Sequence, residues 1–323
     1  MKKIRTVVIG AGAFGKNHAR ILHELYDVEL AGIVDIDEPK GAALSQTYST
    51  SAYRDIEAVI GNIDAAIVAT PTSTHEEVAT RLLQAGVDVL VEKPIASSSA
   101  AGERLAKVAE ENGRILQVGH LERFNPAVTA LENAITIPLF FEVHRLSVFT
   151  PRSLDVDVLL DLMIHDLDIV LNLVRAEPQE IRAAGISVLS GKVDIANVRL
   201  SFASGCVANL TASRVSTEKI RKLRIFQPRE YISIDYQKQE AIRLAIRKNE
   251  PNSLPEIGFE SLKVAHGEPL RLELTSFFES VRSRHKPRVD GQQASAALRV
   301  AEAIAAKIKE HANLVAGTVR AHR

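Results

Sequence analysis

Val7-Val8-Ile9-Gly10-Ala11-Gly12-Ala13-Phe14-Gly15 places three glycines in the spacing G-x-G-x-x-G. A β-branched run, Ile4–Ile9, precedes them, and a helix-compatible stretch from about Ala13 to Leu25 follows. Glycines so spaced can serve a turn alone. Between a strand and a helix they do more: Gly10 permits the tight turn, Gly12 lets the backbone approach a pyrophosphate, and Gly15 lets the helix pack close to the strand. The N–H groups of Ala13, Phe14 and Gly15 then open a helix whose positive dipole end faces the phosphates. Asp35 ends the next apolar run, roughly 20 residues beyond the second glycine, where a carboxylate binds adenosine ribose hydroxyls. Asp35 and nearby Asp37 would repel the 2′-phosphate of NADP, and no arginine follows to receive it, so NAD is the expected cofactor and NADP the lesser one.

Outward from this loop, short apolar runs alternate with helix-like segments. Leu30–Val34, Ala65–Ala69, Val87–Val91 and Ile115–Val118 read as strands, with Glu76–Gln84 a helix after the cap-like Thr72-Ser73-Thr74. Mainly apolar strands separated by helices predict a doubly wound parallel sheet. Beyond about residue 120 the period changes. Phe140–Phe149 reads as a strand and Val156–Val174 as one long helix. Ile181–Leu189, Val193–Phe202, Cys206–Val215, Lys219–Phe226 and Tyr231–Tyr236 read as strands. The turns Ser190-Gly191-Lys192 and Ser204-Gly205 suit hairpins, so this second sheet is expected to be mainly antiparallel. Helices near Glu268–Ser283 and Gln292–His311 close the chain. The change of period divides it into domains at 1–121 and 122–323, and the last helix could pack back on the first.

Composition narrows the class. The 323 residues are 46% hydrophobic and 25% charged, with 40 basic against 40 acidic side chains. That balance gives no push toward nucleic acid or an anionic membrane, and no apolar run reaches the ~18 residues of a membrane span. The start Met1-Lys2-Lys3 lacks a signal-peptide apolar core and cleavage pattern. The single cysteine, Cys206, fits a reducing cytoplasm. Asn209-Leu210-Thr211 matches a glycosylation sequon, which without a secretory signal reads as chance. No metal site is expected.

Lys93 follows the apolar run Val87–Val91, at a strand's carboxyl end where open α/β sheets bind ligands. Oxidising an alcohol requires a group to take the hydroxyl proton as hydride leaves, and a lysine there can do so. By itself it could equally be a solvated strand-end lysine. Asp161 and His165 stand four apart, on one face of the expected long helix. Apolar neighbours surround them, so they could form a satisfied core pair.

The glycine loop, Thr70-Pro71-Thr72-Ser73-Thr74-His75, Glu92-Lys93-Pro94 and Asp161-Leu162-Met163-Ile164-His165 occur in the order typical of the Gfo/Idh/MocA oxidoreductases, which the chain resembles over essentially its whole length. The resemblance implies a Rossmann domain followed by an α/β domain. The open sheet of that second domain commonly forms the oligomer interface, giving a homodimer or homotetramer, and the active site lies between the domains. It implies cofactor contacts from Thr70, Pro71, His75, Glu92 and Lys93, a Lys93–Pro94 bond that is often cis, and Lys93, Asp161 and His165 in catalysis and substrate binding. Lys93 and His165 both stand as the possible base. In Gly119-His120-Leu121-Glu122-Arg123-Phe124-Asn125-Pro126 it implies substrate contacts from Arg123 and Asn125, while His120 could face the nicotinamide or cap a strand. Asp168 is a weaker candidate, and Asp166 points elsewhere. Many members carry glycines before and within the Asp-x-x-x-His motif where this chain has Val158, Leu159, Leu160 and Met163, so its sugar pocket should differ in shape.

The combined motifs look closest to the branch holding UDP-N-acetylglucosamine 3-dehydrogenases. A free sugar or an inositol is the alternative substrate, and a non-catalytic NAD-sensing regulator the lesser alternative. A substrate pyrophosphate would need cations, and Arg145, Arg152, Lys219, Arg221, Lys222 and Arg224 are available. Lys219–Arg224 could instead be a charged edge strand that prevents aggregation.

Overall fold

The β-branched run after Lys3 forms β1 (Ile4–Ile9), the centre of the first of two sheets in this computed structural model, which describes residues 2–150, 156–248 and 256–321. There follow α1 (Ala13–Glu24), β2 (Val28–Val34), α2 (Glu38–Thr47), β3 (Ala52–Tyr53), β4 (Ala65–Val68), α3 (His75–Gln84), β5 (Asp88–Glu92), α4 (Ser99–Glu111) and β6 (Leu116–Gly119). The strands lie in the order β3-β2-β1-β4-β5-β6, every neighbouring pair parallel. Every residue of β4 and of β5 is buried, as a sheet covered on both faces requires. The order reverses between β1 and β4, which makes the crevice at their carboxyl ends the ligand position of a doubly wound sheet.

The remaining elements are α5 (Pro126–Ala134), β7 (Phe140–Val148), a π-turn over Leu159–Met163 running into α6 (Ile164–Val174), β8 (Glu180–Ile186), β9 (Ile195–Ser201), β10 (Val207–Ser216), β11 (Ile220–Gln227), β12 (Glu230–Asp235), β13 (Glu240–Lys248), β14 (Glu256–Ser261), α7 (Pro269–Ser283) and α8 (Gly291–Ala321). The chain divides into two units, Met1–Leu121 with Glu268–Leu298, and Glu122–Gly267 with Arg299–Arg323. In the first unit Leu274, Phe277 and Phe278 of α7 complete a core with Ile21 and Leu22 of α1. In the second unit the sheet runs β14-β13-β12-β11-β7-β10-β9-β8, with β7 and β10 parallel and the other pairs antiparallel. One face buries Phe141, Val143, Val198, Leu210 and Leu223 against Leu167 and Val170 of α6 and Ile304 of α8. Asn197 and Arg199 of β9 and Asn209 and Thr211 of β10, at alternate positions, are not buried, and there Asn197 donates to Thr211 and Arg199 to Asn209 across the strands.

Two expectations are corrected. The long helix over Val156–Val174 is a π-turn followed by α6. Asp157 starts it by accepting the N–H groups of Leu159 and Leu160, both at 3.0 Å. Asp161 therefore lies in the π-turn and His165 in the first turn of α6. The strand containing Lys219–Arg224 is not an edge: β11 pairs with β7 on one side and β12 on the other. The edges are β14 and β8, and β13 and β14 carried no turn signal strong enough to be read. Arg152 lies outside the described residues.

Gly10 and Gly15 lock the first βα unit. Gly10 has a φ of +99°, and a Cβ there would meet the Ala69 carbonyl oxygen at 2.5 Å. A Cβ on Gly15 would lie 1.8 Å from the Gly10 carbonyl oxygen, whereas one on Gly12 would meet nothing within 4 Å. Gly15→Ala should therefore lower the thermal midpoint sharply. Gly12→Ala should unfold within about 0.5 kcal/mol of the parent yet bind NAD more weakly in a fluorescence titration. Equal loss of stability in both variants would contradict this division of roles.

Candidate active site

The glycine loop offers what a dinucleotide pyrophosphate needs. α1 begins without a side-chain cap and without an acidic residue in its first turn, leaving N-terminal N–H groups and the positive dipole end for an anion. The open space beside Gly12 is where a phosphate can approach, and Phe14 is exposed. Asp35 follows β2 and organises this corner: Oδ2 accepts the Ala11 N–H at 2.6 Å, and Oδ1 accepts the Asp37 N–H at 2.8 Å. A neighbouring cation offsets the negative charge of Asp37. Lys40 Nζ lies 2.6 Å from it and holds its carboxyl below the usual range.

Thr70 follows β4, across the switch point from the glycine loop. His75 is buried, its two ring nitrogens each 2.9 Å from a carbonyl, that of Thr70 and that of Pro94. His75 thus braces the turns that carry Thr70 and Pro71 to the Glu-Lys-Pro segment, and its ring is committed to backbone. Lys93 is the first residue past β5, half-buried, and its bond to Pro94 is cis. Glu92 is buried and accepts the Lys93 N–H at 3.3 Å through Oε2. Its Oε1 lies 2.6 Å from Nε2 of His18, a fully buried residue of α1. His18 was missed in the sequence, although a histidine on the apolar face of the dinucleotide helix is a visible signal. Gly119 leaves room for Glu92, since a Cβ there would stand 3.1 Å from Oε2. Nearby, Glu273 of α7 is also buried, and its Oε1 has no hydrogen-bond partner among the described residues. Burial, reinforced by the charge of Glu92, raises its carboxyl well above the ordinary value.

In the second unit Asp161 lies within the π-turn and His165 in the first turn of α6, both half-buried. Beside them Arg145 is fully buried. Its Nε and Nη2 donate to the two oxygens of Asp166 at 2.7 and 2.8 Å, and its Nη1 to Glu122 Oε1 at 2.8 Å. Burial opposes its charge, but Asp166 and Glu122 together raise its pKa well above the ordinary value. Burial likewise opposes ionisation of Glu122, and Arg145 overcomes it to hold that carboxyl low. The ring of Tyr236 lies 5.1 Å from the Arg145 guanidinium, and its hydroxyl donates to Asp166 at 3.3 Å.

These contacts engage several of the candidate residues inside the fold. Arg145 is not a cation awaiting a pyrophosphate, because both edges of its guanidinium are committed inside the fold. Arg224 donates to Glu142 at 2.9 Å. Asn125 caps α5 by accepting the Ala127 N–H, and its amide donates to Glu122 and to the Tyr236 carbonyl. Arg123 is buried 3.5 Å from Asp168 and 3.6 Å from Glu132. Asn125 and Arg123 are thus both buried and engaged by neighbours within the second unit. Buried His120 follows β6. Among the described residues no group of His, Cys, Asp and Glu gathers as a metal site, and no helix is long and apolar enough to cross a membrane.

A parallel doubly wound sheet with an uncapped glycine-loop helix, joined in sequence to a mainly antiparallel sheet domain, defines a dinucleotide-binding oxidoreductase. Residues 4–120 match the oxidoreductase family with an NAD-binding Rossmann fold, and residues 140–230 the GFO/IDH/MocA C-terminal domain. The chain belongs to the Gfo/Idh/MocA oxidoreductase family. It is 35% identical to UDP-N-acetylglucosamine 3-dehydrogenase of Acidithiobacillus ferrooxidans, over 89% of this chain and 91% of that protein. A solved structure of that organism's UDP-N-acetylglucosamine 3-dehydrogenase GnnA superposes with a TM-score of 0.90 at 33% identity, covering 96% of this chain and 99% of the other. Myo-inositol 2-dehydrogenase of Thermotoga maritima is 27% identical over 95% of this chain and 97% of its own length.

The buried Glu273 carboxyl gives a pH signature. Its folded pKa lies above the model-compound value of 4.5, so the folded state binds the proton more tightly than the unfolded one. Its contribution is full below that value and is lost as pH rises through the folded pKa. Glu273→Gln keeps the shape and cannot ionise. Urea midpoints should fall less steeply for the variant than for the parent between about pH 5 and 9, and parallel curves would refute a protonated Glu273.

Proposed function

We propose that this chain is an NAD-dependent dehydrogenase that oxidises a secondary hydroxyl of a sugar nucleotide, with the 3-hydroxyl of UDP-N-acetylglucosamine as the favoured substrate. The place of Lys93, at the carboxyl end of β5 with its N–H held by Glu92, carries the chemical assignment. The substrate assignment is supported by the 35% identity to UDP-N-acetylglucosamine 3-dehydrogenase over nearly the whole of both chains.

The N–H groups of Gly12, Ala13, Phe14 and Gly15 bind the cofactor pyrophosphate, with Gly10 making the turn and Asp35 receiving the adenosine ribose hydroxyls. Thr70 and Pro71 border the cofactor on the other side of the switch point, while His75 and Glu92 hold their turns in place. When bound, NAD supplies the acceptor for the hydride. Lys93 and His165 are the two groups able to take the hydroxyl proton, and Asp161 stabilises a protonated neighbour and orients the sugar. Met163, fully buried within the π-turn, stands where many relatives place a glycine, and shapes the surrounding pocket wall.

Copies of the chain associate through the open face of the eight-stranded sheet into a dimer or tetramer, in a reducing cytoplasm that suits the buried thiol of Cys206. The aromatic cluster of Phe140, Phe226 and Tyr231 supports this, with Phe226 still 39% exposed. Sedimentation of the parent should give a dimer or larger, and Phe226→Arg should shift it toward monomer. A monomeric parent would overturn the assembly.

NADH formation measured with UDP-N-acetylglucosamine, free N-acetylglucosamine and myo-inositol tests the substrate. Turnover confined to myo-inositol would favour an inositol dehydrogenase, and tight NAD binding without any turnover a sensor. Lys93→Met should retain NAD affinity while kcat falls by about 100-fold or more, since the proton is moved chiefly in the transition state. An unchanged kcat would remove Lys93 from the chemistry.

A further inference from the structure

The face of the parallel sheet that packs on α1 and α7 changes character toward its carboxyl end. Val8, Ile67 and Leu90 stand side by side on β1, β4 and β5, and share one core with Leu22 of α1 and with Leu274 and Phe277 of α7. Gln117 of β6 continues that row beside Leu90, and Glu92 is the next residue of β5 on the same face. Glu92, Gln117, His18 of α1 and Glu273 of α7 are all buried. Three of their polar atoms, His18 Nδ1, Gln117 Oε1 and Glu273 Oε1, have no hydrogen-bond partner among the described residues. Buried polar atoms left unmet are destabilising, and apolar residues in place of a buried charged pair are often neutral or stabilising. Packing alone therefore does not account for this cluster.

What the cluster holds is the Glu92 carboxylate. His18 Nε2 lies 2.6 Å from Oε1, and because a carboxylate oxygen only accepts, Nε2 is the donor. Oε2 accepts the Lys93 N–H at 3.3 Å, in space left open by Gly119, which stands opposite Glu92 on β6. Glu273 adds no second negative charge, since burial and then the charge of Glu92 raise its carboxyl well above the ordinary value. A lysine carries its charge on a flexible four-carbon stem, so the backbone of Lys93 is the part that the fold can fix.

We propose that His18 is a positioning residue for the reaction: by donating to Glu92 it fixes the carboxylate that holds the Lys93 backbone, and so sets where the Lys93 side chain meets the reacting hydroxyl. This rests on the assignment of Lys93 to the chemistry and adds the residue that keeps Lys93 in place. His18 touches neither the sugar nor the reacting atoms, and no proton need leave it during the step.

The test compares the parent, His18→Gln, His18→Leu, Lys93→Met and His18→Leu combined with Lys93→Met. Each is measured for kcat and KM with the sugar that the parent turns over, NAD affinity, thermal midpoint and hydrogen exchange at the Lys93 amide. Glutamine brings an amide N–H close to the position of Nε2, so His18→Gln should keep most of kcat and the protection of the Lys93 amide. His18→Leu should lower kcat on the order of tenfold to a hundredfold, as misplacement of a reacting group by about 1 Å does. KM and NAD affinity should stay near the parent values, while exchange at the Lys93 amide quickens. In the Lys93→Met background His18→Leu should cost little more, because both changes act at one point. If His18→Leu fails to fold because it strands a buried carboxylate, His18→Leu combined with Glu92→Gln removes that charge and should fold with the same loss of kcat. Parental kcat in the folded His18 variant, beside an impaired Lys93→Met, overturns the role of His18 and leaves the Lys93 assignment intact. So do losses that add in the combined variant, or a fall in NAD affinity and thermal midpoint that His18→Gln shares. Parental kcat in Lys93→Met, or a parent that turns over no sugar, overturns the reading of Lys93 and this proposal with it.

Discussion

A fully buried arginine held between two carboxylates is the interaction on which the second unit depends. Arg145 reaches from β7 to Asp166 of α6 and to Glu122 at the start of the unit, with the Tyr236 ring stacked beside it. Removing one partner from such a group leaves an uncompensated buried charge, which costs about 3–5 kcal/mol. The ion pair therefore specifies one rotation of α6 against the sheet. Asp166 can reach Arg145 only if α6 presents that side to β7, and His165, the preceding residue, is then turned to another side. The placement of His165 is thus a consequence of a contact in which it takes no part.

Steric exclusion plays the corresponding role in the first unit. The Gly10 carbonyl occupies the volume a Gly15 side chain would need, and Ala69 occupies that of a Gly10 side chain. β1, α1 and the end of β4 therefore approach more closely than any residue with a Cβ allows. That closeness brings His18 of α1 to Glu92 at the end of β5, with the Lys93 N–H on the other carboxylate oxygen. The helix that the glycine loop opens and the Glu92-Lys93 segment are joined by one buried histidine–carboxylate contact. A shift of α1 would be felt at Lys93 through two hydrogen bonds.

The parallel sheet was legible because its signal is redundant. β4 and β5 are buried along their whole length, β4 apolar throughout and β5 apolar between Asp88 and Glu92, and the glycine spacing records a steric need that no other residue meets. β13 and β14 were not legible: Ala241, Arg243 and Ala245 alternate with Ile242, Leu244 and Ile246 in a run that mixes charge with apolar residues, and β14 is an edge strand with most of its residues exposed. The π-turn was equally hidden, since Leu159–Met163 has helical composition and the altered hydrogen bonding depends on Asp157 and on the sheet beneath. At the candidate site, residue types were readable but partners were not. Arg145 and Arg221 look alike in sequence. Only the register that places both opposite each other, with the carboxylates committed to one, separates an architectural arginine from one with donors to offer.

That separation applies across the molecule. His18, Glu92, Arg145, Asp166 and Asn125 are buried, and each is engaged by named partners, so their chemistry is used to fix geometry. Lys93, Asp161 and His165 are half-buried at the ends of the elements that those contacts fix. A group that must exchange a proton with a substrate hydroxyl needs both conditions: access to the substrate, and a backbone that does not move as its charge changes. The saturated residues supply the second condition and, being saturated, cannot supply the first. Arg221 is the instructive intermediate. It shares the buried face with Arg145, yet its guanidinium keeps exposure and lacks hydrogen bonds. Its position opposite Arg145 is held by the charges of Glu122, Asp166 and Asp161, which keep it ionised against burial and against its neighbour.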